Sequence, residues 1–343
     1  MVPTPTPTGA PSASQVATPT LNPSFVVSPT PGARIARSDA ALQTSAALVL
    51  FEFPGDDRLR GVAWDASASG VLGPRVAFPW FPSPDGMRYA AGGKVYDRDG
   101  REIASLPWQD ASFTWSSDGQ LLCKALPEVV RTGSQMRVET LVPGQAPRTI
   151  ASGFATYSDN AGYPVIACDP RSDRVVVVAA GQGLFAGHMW TFELSSGRLV
   201  RSATLGQGAI GSWLVATSDG AMLAHTVQAT MDGTATTVVQ RTDDGTALAT
   251  LSDFQARGFS GDGSMLYGWA SGNRVEIREW KTGRLVWSST GYPPPYAVSV
   301  AAPGGARFAI AFGRDNTLKD TDLYLVSSDG TSRVLEHVTV IFP

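Results

Sequence analysis

A four-residue word recurs along this chain and limits its fold more than any other feature. It reads SPDG at Ser83–Gly86, SSDG at Ser116–Gly119, TSDG at Thr217–Gly220 and SGDG at Ser260–Gly263. Looser copies are DPRSD at Asp169–Asp173 and APGG at Ala302–Gly305. Successive starts lie 33, 53, 48, 43 and 42 residues apart. Each word has the chemistry of a tight turn. Ser and Asp side chains hydrogen-bond nearby backbone N–H groups, and Gly accepts positive φ.

An apolar run follows each word at once: MRYAA, QLLCKAL, RVVVVAA, AMLAHTV, SMLYGWA and RFAIAF. A second strand pattern comes next (KVYD, MRVETLV, HMWTFEL, TTVVQRT, RVEIREW, DLYLVSS), then a second turn such as SSGR or KTGR. A third strand and a return strand (SFTW, PVIAC, SWLVA, RGF, AVSV) lead back into the next word. Each unit is therefore four short antiparallel strands, and no helical period of useful length appears. A small sheet that is apolar on both faces must lean on neighbours. Radial stacking of units of roughly 40 to 50 residues gives a β-propeller.

These units resemble the blades of TolB-type and WD-repeat (YVTN-like) propellers, which carry an S-P-D-G turn before a buried strand. The likeness covers residues 45–343. No Trp-Asp or Gly-His signature closes the units, so the bacterial TolB-like form is the closer likeness. The fold expected is all-β, a seven-bladed propeller of four-stranded antiparallel blades. One blade is split: Ala46–Phe53, Leu59–Asp65 and Val71–Ala77 supply three strands, and the C-terminal Val338–Pro343 supplies its innermost one. That joint closes the ring and removes open edges.

Residues 1–44 form a separate leader. Positions 1–33 hold eight Pro, six Thr and four Ser and no charged side chain. Such a stretch cannot offset its ordering entropy and prefers extended polyproline II, the composition of an O-glycosylated stalk or spacer. Within it Leu21, Phe25, Val26 and Val27 have strand character and suit an open sheet edge, on the chain's own domain or on a neighbouring copy.

The net charge is −3 and no Lys or Arg run stands out, which argues against a nucleic-acid partner. No apolar stretch reaches membrane-spanning length, and the first residues lack the basic end and apolar core of an export signal. Cys123 and Cys168 read first as two buried thiols; in an exported protein they read as a disulfide between neighbouring blades.

Little in the sequence points to catalysis. Asp85, Asp118, Asp219 and Asp262 repeat with the blade and are explained as turn formers. His188, His225 and His337 lack metal-ligand spacing, and neither a metal nor a cofactor is implied. What remains is a loop face. Loops joining outer to next inner strand share it with loops joining second and third strands. They bring Trp108 and Asp110, Phe154 and Tyr157, His188, Asp232, Tyr292 and Tyr296, Arg314 and Asp315 to one side. Aromatics with scattered charges suit protein or glycan recognition. The expected function is a noncatalytic, exported, cell-surface propeller that displays this face. The alternatives are a structural subunit of an array or filament, whose leader docks on the next copy, and a propeller-fold hydrolase or lyase.

Overall fold

The computed structural model describes residues 20–21, 32–42, 48–56, 58–74, 80–97, 100–108, 113–130, 133–157, 164–179, 186–207, 212–227, 234–272, 274–289, 297–302, 305–314 and 319–340. The long regular elements among them are all strands. β1 (Thr20–Leu21) and β2 (Ala33–Arg34) precede β3 (Leu48–Glu52), β4 (Arg58–Ala63) and β5 (Ser69–Pro74). Five separate four-stranded antiparallel blades follow. Blade one holds β6 (Trp80–Pro82), β7 (Arg88–Ala91), β8 (Lys94–Asp97) and β9 (Glu102–Ser105). Blade two holds β10 (Phe113–Trp115), β11 (Leu122–Val130), β12 (Gly133–Leu141) and β13 (Arg148–Tyr157). Blade three holds β14 (Val165–Asp169), β15 (Arg174–Ala179), β16 (Ala186–Glu193) and β17 (Leu199–Gln207). Blade four holds β18 (Ser212–Ala216), β19 (Met222–Val227), β20 (Thr236–Arg241) and β21 (Ala247–Ser252). Blade five holds β22 (Gln255–Phe259), β23 (Met265–Ala270), β24 (Arg274–Glu279) and β25 (Arg284–Ser289). The chain ends with β26 (Ala297–Ala301), β27 (Phe308–Gly313), β28 (Thr321–Val326) and β29 (Ser332–Val340).

The count of seven separate blades is corrected to five. Strands assigned to the other two units are fused into one eight-stranded sheet, in which β26 to β29 continue into β3, β4 and β5. The cause is β29. It pairs with β28 from Ser332 to Val338, and its last residues Thr339 and Val340 pair with Glu52 and Phe51 of β3. The chain ends are thus joined by backbone hydrogen bonds. The C-terminus does not simply supply an innermost strand, however: Leu48, Val49 and Leu50 of β3 themselves face the central cavity. Residues 341–343 lie outside the described residues.

The recurring word folds as its chemistry dictates. Ser83, Ser116, Thr217 and Ser260 each donate from the hydroxyl to the Asp two positions on, at 2.5–2.6 Å. Each hydroxyl oxygen also accepts from the backbone N–H five residues later, at 2.9–3.0 Å. The word therefore fastens the inner strand to the second strand.

Packing runs across blade junctions. Val175 and Val177 of β15 join a cluster with Cys123, Met136 and Val138 of blade two, while Val176 and Val178 join Leu214 and Leu223 of blade four. The period of two sends alternate side chains to opposite neighbours, and fully burying each Val contributes about 1.5–3 kcal/mol. Buried cations also bridge junctions. Arg278 is paired with Glu276 at 2.6 Å and donates to the carbonyls of Ser252 and Asp253 in blade four.

Part of the leader belongs to the sheet. β2 pairs in parallel with Arg333 and Val334 of β29, and Ala41 pairs with Val71 of β5. Buried Arg60 holds the stretch between them, donating to the Ser38 carbonyl at 2.6 Å and pairing with Asp39 at 2.5 Å and Asp56 at 2.8 Å. This strap spans the joint made by β29 from outside. Further back, Thr20 and Leu21 of β1 pair in parallel with Thr250 and Leu251 of β21. Phe25, Val26 and Val27 lie outside the described residues.

Second-turn glycines touch the preceding sheet. A Cβ on Gly197 (φ +72°) would lie 2.1 Å from the Ile150 carbonyl oxygen, and one on Gly330 (φ +84°) would lie 2.3 Å from that of Val286. Gly144 (φ +86°) has nothing within 4 Å. Gly144→Ala should cost about 1 kcal/mol of backbone strain, and Gly197→Ala and Gly330→Ala clearly more. Urea unfolding midpoints check this, and equal losses at all three sites would refute the contact.

Candidate functional site

Strand direction sorts the loops onto two faces. The inner strands β6, β10, β18 and β22 each end at a Ser-Asp or Thr-Asp turn, so these turns gather at one mouth of the ring. The second strand runs away from that mouth, so connections from second to third strand, and from outer to next inner strand, gather on the opposite face. Blades two and three carry longer strands toward that face than blade four does. β11 and β12 have 9 residues each, β13 has 10, β16 has 8 and β17 has 9. Their counterparts in blade four have 6 each. Because β11 starts directly after its word, its surplus length extends to the opposite face, where Val130 still pairs with Gly133.

Beneath these raised strands runs an aromatic seam. Phe154 of β13 packs edge-on against Trp190 at 5.5 Å and Phe192 at 4.8 Å. His188 stacks on Trp190 at 5.6 Å, and its Nε2 lies 3.3 Å from the Thr204 hydroxyl. The same cluster contains Cys123 and Cys168, which form a disulfide. The reading as two buried thiols is thereby corrected. Cys123 on β11 and Cys168 on β14 sit on adjoining blades with Cα atoms 6.5 Å apart, within bonding range.

The expected loop residues separate into three groups. His188 and Phe154 meet through Trp190, and Tyr157 pairs with Ser134 at the end of β13. Trp108 is buried instead of displayed. Its indole N–H donates to Glu139 at 2.9 Å, and the Lys124 ammonium lies 5.6 Å from its ring centre. Arg314, on the closing sheet, donates to Asp322 at 2.8 Å. Asp110, Asp232, Tyr292, Tyr296 and Asp315 lie outside the described residues.

The turn carboxylates are occupied. Burial pushes the Asp262 carboxyl up, but hydrogen bonds from Ser260 and Ser264 outweigh it and hold the group below its usual range. Asp169, reached by Ser117 and by the N–H groups of Arg171 and Ser172, is lowered in the same way against its burial. No group of three or more metal-ligating side chains occurs among the described residues.

The axis of the ring holds a cavity of about 900 Å³. Residues of β3, β6, β10, β14, β18, β22 and β26 line it, mostly apolar. Among the inner-strand residues that line it, Thr114 of β10 and Asp169 of β14 are polar and Arg257 of β22 is cationic. Its guanidinium donates to Gln255 at 2.7 Å and lies over the Trp269 ring at 3.7 Å. Burial pushes its pKa down to about 10. The sequence signal was the short return strand RGF, whose Arg and Gly replace the apolar residues of its counterparts.

No protein-family model matches the sequence, and no curated protein is significantly similar to it. Solved structures do share its fold. An oligogalacturonate lyase in complex with manganese is 13% identical, with 78% of this chain and 82% of that one covered and a TM-score of 0.54. Hydrazine synthase from Kuenenia stuttgartiensis is 14% identical, with 91% and 97% covered and a TM-score of 0.53. TolB from Acinetobacter baumannii is also similar, at 14% identity, 85% and 64% coverage and a TM-score of 0.42. The likeness is one of fold: the chain is a β-propeller.

His225 of β19 is buried, and desolvation lowers its pKa. The folded state therefore favours the neutral ring, and the unfolded chain binds a proton more readily. This contribution to stability is complete above the unfolded value of about 6.5 and falls as pH drops below it. His225→Gln should flatten the decline in urea midpoint between about pH 7 and pH 5.5; an unchanged slope would exclude His225 as its source.

Proposed function

We propose that this protein is a noncatalytic, exported β-propeller that binds a protein or glycan partner on the face opposite its Ser-Asp turns, with the N-terminal segment as tether. The observation that carries this reading is the raised pair of blades two and three. β11, β12 and β13 of the one and β16 and β17 of the other run 8 to 10 residues, an aromatic seam lies between them, and a buried disulfide ties one to the other. Disulfides persist in oxidising compartments, which supports export to the cell surface. The engaged turn carboxylates support a binding role over an acid–base one. We read the cavity lining as seven radial units, each presenting one inner strand. A closed ring of this kind holds its loops still, so a partner loses less ordering entropy on binding.

Pairing of leader segments with the outer edges of β21, β29 and β5 favours a second reading, an array subunit in which the same pairing occurs between copies. The lyase among the similar structures brings only its fold to the comparison.

Two measurements test the main reading. Protein recovered from an oxidising compartment should show no free thiol even when unfolded in denaturant, and should yield two only after reduction. Replacing residues 129–134 by Asn-Gly shortens the β11–β12 hairpin and keeps Met136 in the core. On a glycan array and in a cell-surface pull-down, that variant should lose at least about tenfold in retention, since recognition concentrates in a few contacts, with its melting temperature little changed. Undiminished retention, or no retention by the parent protein, would refute the loop-face reading. Light scattering of a variant lacking residues 1–31 decides the second reading: assembly unaffected by the deletion would rule it out.

A further inference from the structure

We propose that the cleft between the N-terminal strap and β29 is a binding site for a small carboxylate with an apolar body, and that Arg37 holds its charge. The cleft lies on the outer side of the closing joint, so this inference stands apart from the loop-face reading.

The backbone marks this place twice. Thr321 pairs with Val338 and Leu323 with Leu335, so Glu336 and His337 of β29 stand opposite Asp322 alone. A bulge of this kind re-aims side chains and is common beside functional sites. Within it His337 has φ +56°. The other non-glycine residues with positive φ among the described residues, Ala66, Asp173 and Asp253, lie in turns, whereas His337 lies in a strand. Leaving β28 for β3 requires a bend in β29, and glycine would supply it without strain. The bend by itself therefore does not account for a histidine. The imidazole Nδ1 lies 3.1 Å from Asp320, and Nε2 has no partner among the described residues.

The side chains define the ligand. The cleft has a volume of about 480 Å³, within the size range of small-molecule sites. Ile35 of the strap, Phe53 and Pro54 after β3, and Val334 and Leu335 of β29 give it apolar walls. Its charged or titratable residues are Arg34, Arg37, Asp320, Glu336 and His337. Both carboxylates are engaged: Glu336 pairs with Arg34 at 3.1 Å, and Asp320 with His337. Arg314, held by Asp322 at 2.8 Å, adds its positive field to both. Arg37 has no carboxylate partner among the described residues, and its guanidinium lies over the Phe53 ring at 3.8 Å. Asp39 feels the Arg37 charge but is held by Arg60 at 2.5 Å and by Arg58 at 3.3 Å. A guanidinium resting on a ring keeps its N–H groups for an acceptor, and its planar fork matches a carboxylate through two parallel hydrogen bonds. The carboxylate of the ligand accordingly sits at Arg37 and its apolar body against Ile35, Phe53 and Leu335. His337 completes the lining, with Nε2 open to the ligand.

The test uses the full chain, with phenylacetate as ligand and phenylacetamide as its neutral counterpart, followed by ligand-detected NMR. Phenylacetate should bind saturably, and the amide at least about tenfold more weakly, because only the anion makes charge-assisted hydrogen bonds. Arg37→Gln should weaken phenylacetate by about tenfold or more and change the amide by less than about twofold. Arg37→Lys keeps the charge without the fork and should fall between. Arg37 is exposed, so both variants should fold as the parent does. His337→Gly keeps the bend and removes the ring, and should weaken phenylacetate by about threefold or more, as loss of a single polar contact does. Absence of saturable phenylacetate binding, equal affinity for acid and amide, or parent-like phenylacetate binding in either Arg37→Gln or His337→Gly would overturn the proposal.

Discussion

Burial of both faces of each middle strand against two different neighbours is the constraint from which the rest of this structure follows. β15 shows it most simply, with Val175 and Val177 packed toward blade two and Val176 and Val178 toward blade four. No blade can satisfy both faces alone, and a linear stack would leave two apolar faces in water. Closing the stack into a ring removes those ends. The closing joint is accordingly the most elaborated part of the molecule. β29 leaves β28 to reach β3, and the strap of residues 32–42 crosses the same region outside, anchored by buried Arg60 on Asp39 and Asp56.

The same constraint separates scaffold from function. Residues that repeat with the blade are used up in building it. The Ser or Thr and the Asp of each of the four full words satisfy one another and the adjoining backbone, so these acidic groups near the cavity mouth are explained as turn formers. What breaks the repeat is not explained by building the blade. Two departures stand out: the lengthened strands of blades two and three, tied by a disulfide, and the bulge in β22 at Arg257, beside a mostly apolar channel. One alters the outer face and the other the axis.

The fold was legible in the sequence because its signals are local. A Ser-x-Asp-Gly turn is read from four residues, and a buried strand from the run that follows. The site was far less legible. Trp108 looks like a display residue beside a loop, yet its indole reaches Glu139, 31 positions away, inside blade two. Phe154 is held by Trp190 and Phe192 of the next blade. Whether an aromatic faces solvent or a neighbour depends on a surface contributed by another unit, and spacing along the chain does not encode that.

By itself the sequence determined the all-β class, the four-strand unit, the turn chemistry and a proline-rich N-terminal segment, since each rests on interactions within about ten residues of chain. The tertiary structure alone decided the fusion of two units into one sheet, the bond between Cys123 and Cys168, the docking of residues 32–42, and the placement of Arg257. These depend on contacts between segments tens or hundreds of residues apart, whose meeting is set by the curvature of the closed ring.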